Sequence, residues 1–199
     1  MVNKLQNPKN RGFLLVEAMI SITILLMVSA TAITLLIYAN QAIHFNAHSL
    51  EASWIAQEGA NGLRGLRDTN WIRFSYDKEN CWTEITDTCP TTQIAEGFYR
   101  LETSLTDPPA LVSTAAAIDL ENRTLLSNND YRIYKDETDG SLSHDSANEE
   151  TIYYRSIEII DVIAGERIDA NVTVAWLESG QQQRDIQLPV ILTNYQLEE

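Results

Sequence analysis

The sequence predicts an α+β protein, with a long amino-terminal helix ahead of a carboxyl-terminal antiparallel sheet. Three observations carry this. Residues 18–43 hold no formal charge, no Gly and no Pro. Residues 44–73 keep a helical recurrence of apolar side chains but set charges between them. Residues 168–192 show apolar–polar alternation of period two on either side of a polar, Gly-containing turn. The 199 residues suffice for an anchor and one domain with a modest core. The expected division is a leader over 1–12, the transmembrane half of the helix over 13–43, its continuation over 44–73, and a globular sheet domain over 74–199 with a loop at 74–97.

Charge narrows the function classes. The formal net charge is −14, so nucleic acid is not an expected partner, because its phosphates are repelled rather than neutralised. The distribution is uneven. Lys4, Lys9 and Arg11 precede Gly12 with no acid among them, and the body is correspondingly more acidic. A basic head before a long apolar run reads as a segment held in the cytoplasm, with the later domain on the other side of the membrane.

A helix of about 20 apolar residues crosses a bilayer core, and the run from Ala18 through Ile43 is long enough. Glu17 breaks the pattern at its start. A carboxylate in a membrane helix costs several kcal/mol unless it is paired, so it calls for a functional explanation. Cleavage between Gly12 and Phe13 would create an α-amine four residues before Glu17. That cation, on the same chain or a neighbour, lies one helical turn away and neutralises the carboxylate in the apolar phase.

The stretch Arg11-Gly12-Phe13-Leu14-Leu15-Val16-Glu17-Ala18 resembles the type III signal peptide of type IV prepilins and pseudopilins. That pattern is a basic leader ending in Gly, then Phe, three apolar residues, Glu and a long apolar helix. The resemblance implies a type IV pilin-like fold, cleavage after Gly12 by a prepilin peptidase, N-methylation of Phe13, and a role for Glu17 in setting subunit register. It implies a structural subunit, with no enzymatic activity and no cofactor, of a pilus or secretion pseudopilus. The subunit would be held in the cell membrane by a single pass and then packed into an extracellular or periplasmic filament. Its partners would be the peptidase, the membrane and other pilin or pseudopilin subunits through the amino-terminal helix. Residues 54–71 and 151–193 are similar to those of minor subunits. Two alternatives stay open. Ala30-Thr31-Ala32 has the form of an ordinary signal-peptidase site, which would release a soluble domain. A plain single-pass tether for a binding module is the other.

In the helix continuation, Leu50, Trp54, Ile55, Leu63, Leu66 and Trp71 recur at helical spacing among Glu51, Glu58, Arg64, Arg67 and Asp68. Gly59, Gly62 and Gly65, each costing up to about 1 kcal/mol against Ala in a helix, suggest close approach to a sheet, with local flexibility as the alternative. His44 and His48 stand at i, i+4, but no metalloprotease glutamate follows His44, and a pair of interfacial histidines is the simpler reading.

Cys81 and Cys89 lie in the polar loop, close enough in sequence for a disulfide in an exported chain, with free thiols as the alternative. Their spacing is not that of a redox Cys-x-x-Cys, and no metal site is expected there. Trp82 and Ile85 fall within the ring and are placed to pack it on the sheet.

Tyr99, Leu101, Thr103 and Leu105 alternate as a strand that Asp107-Pro108-Pro109 ends. Residues 110–130 are ambiguous. Tyr131-Arg132-Ile133-Tyr134 is a short strand. Residues 136–150 carry Asp136, Glu137, Asp139, Asp145, Glu149 and Glu150 without a calcium-loop spacing, and read as a solvated hairpin loop. Thr151–Ile163, Ile168–Trp176 and Ile186–Leu192 complete an antiparallel meander, with Pro189 suiting an edge strand. The acceptor-like triplets Asn122-Arg123-Thr124 and Asn171-Val172-Thr173 carry no weight. No phosphate-binding loop, nucleophile elbow or His–carboxylate–nucleophile set stands out, and no internal repeat is visible.

Overall fold

A computed structural model describes residues 11–102, 108–114, 116, 118, 129–138, 140–178 and 182–194, with the side chains of 11–13 and 182 excepted. Residues 1–10 of the leader, the strand end at Thr103 and Leu105, Asp107, most of 110–130 beyond Thr114, Asp139 and the turn residues 179–181 lie outside the described residues. The chain is α+β. It divides after Ala47 into two units.

One helix, α1 (Arg11–Arg73), contributes to both units. Its length follows from composition, since no Pro occurs in it and its glycines fall only at 12, 59, 62 and 65. In the first unit it is apolar on every side. The large apolar side chains from Leu14 to Ile43 are 54–70% exposed. Length and hydropathy make this segment competent to cross a membrane.

The second unit is built around the long strand β5 (Glu149–Ile163). One edge of β5 pairs with β6 (Arg167–Glu178), which pairs with β7 (Gln182–Thr193). Its other edge is shared between β1 (Gly97–Glu102) and β3 (Arg132–Lys135). Beyond these lie β2 (Ala110–Thr114), paired with β1, and β4 (Leu142–Ser143), paired with β3. All seven strands form one sheet, and every pairing is antiparallel. The meander β5-β6-β7 is the one that the sequence predicts. Pro189 sits exposed on β7, which among the described residues pairs only with β6, and an edge strand of this kind tolerates a missing N–H.

Within this unit, α1 lays Ala52, Ile55, Ala56, Ala60, Leu63 and Leu66 against the sheet, each at most 5% exposed. Facing them are Leu101, Ile157, Ile159, Ile168, Val172 and Val174 in the same core. The buried stripe keeps Ile55, Leu63 and Leu66 of the expected one. It departs from it at Leu50 and Trp54, which are 62% and 64% exposed, with Ala52, Ala56 and Ala60 on the inner face instead. Close approach decides it. A Cβ on Gly59 would lie 2.9 Å from Val172 Cγ1, and one on Gly62 would run into the Leu101 side chain. Gly65 faces Pro109 rather than the core.

The expected loop over 74–97 holds a short helix, α2 (Lys78–Cys81), capped by the Asp77 side chain accepting from Asn80 N. The ambiguous stretch supplies β2. Its apolar Leu111 and Val112 stand over Leu101 and Arg100 of β1.

Candidate functional site

The amino-terminal segment presents one formal charge on an apolar cylinder. Glu17 is exposed on α1, and no other acid or base occurs between Leu14 and Ile43. Four hydroxyls in the same stretch are turned back on the helix. Ser21 donates to Glu17 O at 2.9 Å, Thr23 to Met19 O at 2.7 Å, Thr31 to Val28 O at 2.8 Å and Thr34 to Ala30 O at 2.9 Å. These four side chains thereby satisfy themselves against their own backbone, which lowers the cost of an apolar surrounding. Glu17 has no such local solution. Gly12 and Phe13 lie within α1, so the Phe13 backbone nitrogen falls one turn before Glu17 on the helix.

The two cysteines are joined, with an S–S distance of 2.05 Å and Cα atoms 5.7 Å apart. The bridge closes a loop whose interior is Trp82, 2% exposed, with Ile85 packed against the core beside it. At the loop's centre is Glu84, fully buried. Its carboxylate accepts from Thr92 N at 2.6 Å, Thr86 Oγ1 at 2.8 Å and Thr91 N at 2.9 Å. Burial works against ionisation of Glu84, but the donors from Thr91, Thr86 and Thr92 outweigh it and hold the carboxyl below its ordinary range. Asn70 on α1 ties the loop down by donating to Trp82 O at 3.2 Å and Glu84 O at 2.6 Å. The tip, Asp87 and Thr88, is exposed. The result is a rigid loop with a solvent-facing tip, internally braced by one disulfide and one buried anion.

A second polar cluster in the second unit, His48–Glu199, here called the head, joins the start of its helix to β5 and β6. Tyr153 donates to Glu51 Oε2 at 2.8 Å, and Trp176 Nε1 to Glu178 Oε2 at 3.1 Å. His48 Nδ1 lies 3.4 Å from the same Glu178 oxygen. Tyr153 and Trp176 are register partners. Burial, then the Glu51 hydrogen bond and charge, push the Tyr153 phenol far above its ordinary value. His48 is thus held to a strand carboxylate. Among the described residues, no three His, Cys, Asp or Glu side chains are placed to hold a metal ion.

Arg155 is fully buried in the core, its guanidinium 3.3 Å from Glu58 Oε1 and donating to Leu101 O at 3.4 Å. Sequence reasoning passed over it. The signal was parity, since Arg155 shares its face of β5 with Tyr153, Ile157 and Ile159. The Glu84 cradle left no such signal, because its donors are mostly backbone amides. Comparison with protein-family models, with curated proteins and with solved structures finds no match to this chain.

Proposed function

We propose that this chain is a type IV pilin-like subunit of the minor class, anchored by the first half of α1 and assembled with other subunits into a pilus or secretion pseudopilus. The observation that carries the reading is Glu17. It is the sole charge on a helix segment otherwise apolar on all sides, five residues after the Gly12 of a basic leader. A tether needs no such charge, and lipid penalises it. An assembling helix uses it, because the α-amine of a cleaved neighbour supplies a specific partner and so a specific register.

The rest of the molecule suits that role. A helix whose second half packs on a sheet joins the anchor to a folded domain. The braced loop at Cys81–Cys89 gives that domain a shaped surface. Catalysis is not part of the reading, and no cofactor or nucleic acid is.

Mass spectrometry of the mature protein tests it. The expected chain begins at Phe13 with a methylated amine and lacks residues 1–12. A chain beginning at Ile33 would establish ordinary secretion, and an intact Met1 would establish a plain anchor. In the same cells, Glu17→Ala is expected to abolish incorporation into filaments while membrane insertion persists. Filaments that incorporate the variant normally would overturn the assembly role.

A further inference from the structure

We propose that the hairpin carrying β4 is an acid-released clasp, with His144 as its trigger. The proposal concerns the sheet domain and is independent of how the chain assembles. β4 is the shortest strand of the sheet. Two residues long, it pairs among the described strands with β3, through Tyr134↔Ser143 and Lys135↔Leu142. β3 is itself joined to β5 with an irregular register between Arg132 and Tyr134.

His144 follows β4 and locks it inward. Its Nδ1 lies 2.9 Å from the carbonyl oxygen of Arg132 on β3. A carbonyl only accepts, so Nδ1 carries the hydrogen and Nε2 is bare. Nε2 is buried and has no hydrogen-bond partner among the described residues. A proton can arrive only there.

The charged groups facing the ring make that proton unwelcome. Arg155 on β5 and Arg100 on β1 both act on it as like charges. Arg132 on β3 offers its carbonyl, while its guanidinium lies over Tyr154 and pairs with Glu150 at 2.8 Å. The carboxylates nearby are engaged elsewhere, Glu102 by Arg100 at 2.7 Å and Asp145 by the Ala147 amide at 2.9 Å. The Tyr154 phenol, held above its ordinary value by burial, stays neutral in acid. Burial, then Arg155, lower the His144 pKa from 6.5 to about 4, against the opposing pull of the Arg132 carbonyl.

The sign follows from linkage. The released hairpin binds a proton at the ordinary histidine value and the closed one does so only in stronger acid. Closure is therefore complete at neutral pH and is lost as pH falls through the interval down to about 4. Opening frees the described residues 136–138 and 140–148.

Hydrogen–deuterium exchange on the full chain in detergent micelles tests this, at about pH 7 and about pH 4 with intrinsic rates corrected. The amides of Asp136 and Gly140, bonded to Ser141 O and Asp136 O, report the clasp, and those of β6 report the core. The expected result is a loss of protection of roughly tenfold or more in the clasp with β6 unchanged. His144→Gln keeps a donor for Arg132 O but does not titrate, so it should remove most of the loss. It also controls for effects of pH that do not act through His144. Equal protection at both pH values in the native chain, or the same loss in His144→Gln, would overturn the proposal. Should His144→Gln fail to fold, an NMR titration of the native His144 ring decides instead. A shared, depressed midpoint for the ring and the clasp amides supports the clasp. A ring titrating near its ordinary value, or amides that do not follow it, excludes it.

Discussion

The two halves of α1 are one helix by backbone and opposites by surface. Before Ala47, large aliphatic side chains cover the whole circumference, and each of those from Leu14 to Ile43 is more than half exposed. After His48, the inner face is made of Ala and Gly with a few large side chains, and the outer face carries Glu51, Asn61, Arg64 and Asp68. The difference shows what each half is for. The second half has a fixed partner at a fixed distance and has given up side-chain volume to reach it. The first half has kept its volume, which suits lipid or other helices that can adapt to it.

The comparison can be broken by making the same change in both halves. Gly62→Val forces two methyls toward Leu101 and should destabilise the head by about 3 kcal/mol, since overpacking leaves no room to relax. Ala32→Val, on the exposed surface of the first half, should leave head unfolding unchanged. Denaturant titration of full-length protein in micelles, followed by tryptophan fluorescence, reads both. Equal effects would mean that the head does not depend on the close approach.

A second change sharpens the comparison by probing what braces the head beyond the helix. Replacing Cys81 and Cys89 with Ser opens the loop and should cost about 2.5 kcal/mol by loop-closure entropy. Processing after Gly12 should be untouched, because the bridge lies wholly in the second unit. Thiol counting on unreduced, denatured protein checks the premise, with no free thiol expected.

The smallest effect concerns Glu84. Its folded-state pKa lies below its ordinary value of 4.5, so its ionised form stabilises the head above that value. That contribution is lost as pH falls through the lower folded value. Glu84→Gln lacks it throughout. The variant should be less stable at neutral pH and should converge on the native protein in strong acid, where unfolding midpoints are compared. Parallel curves for the two proteins would mean that the carboxylate charge is not what the Thr91 and Thr92 amides recognise.

How much of this was legible in the sequence varies with how local the cause is. The strands over 168–176 and 186–192 showed through alternation, because one face of each is buried by a single, regular partner. The apolar span was equally plain. The inner face of the second half of α1 was legible in part. Ile55, Leu63 and Leu66 lie on it as their spacing predicts, and Gly59 and Gly62 make the close approach. Apolar periodicity favours large residues, however, so Leu50 and Trp54 were placed where Ala52, Ala56 and Ala60 pack instead. The spacing of Cys81 and Cys89 permitted a bridge without deciding it, while Glu84 gave no sign of burial. Its environment consists of amides whose direction depends on the fold. β2 and β4 are too short for a period to emerge.

The ties between α1 and β5 also have a consequence in time. Glu51 and Tyr153 are 102 residues apart in sequence, and Ile55 and Arg155 are 100 apart. The helix is made first, and β5 and β6, which cover most of it, come in the last part of the chain. At synthesis rates of roughly 5–20 residues per second, its inner stripe waits about 5–20 s for those two strands. The hairpins β5-β6 and β6-β7 close over short separations and form as soon as they emerge, so the sheet is ready before the helix docks. The small residues on the stripe therefore serve a second purpose. Ala and Gly expose little apolar area during the wait, and a stripe of leucines in their place would be the stickier nascent chain.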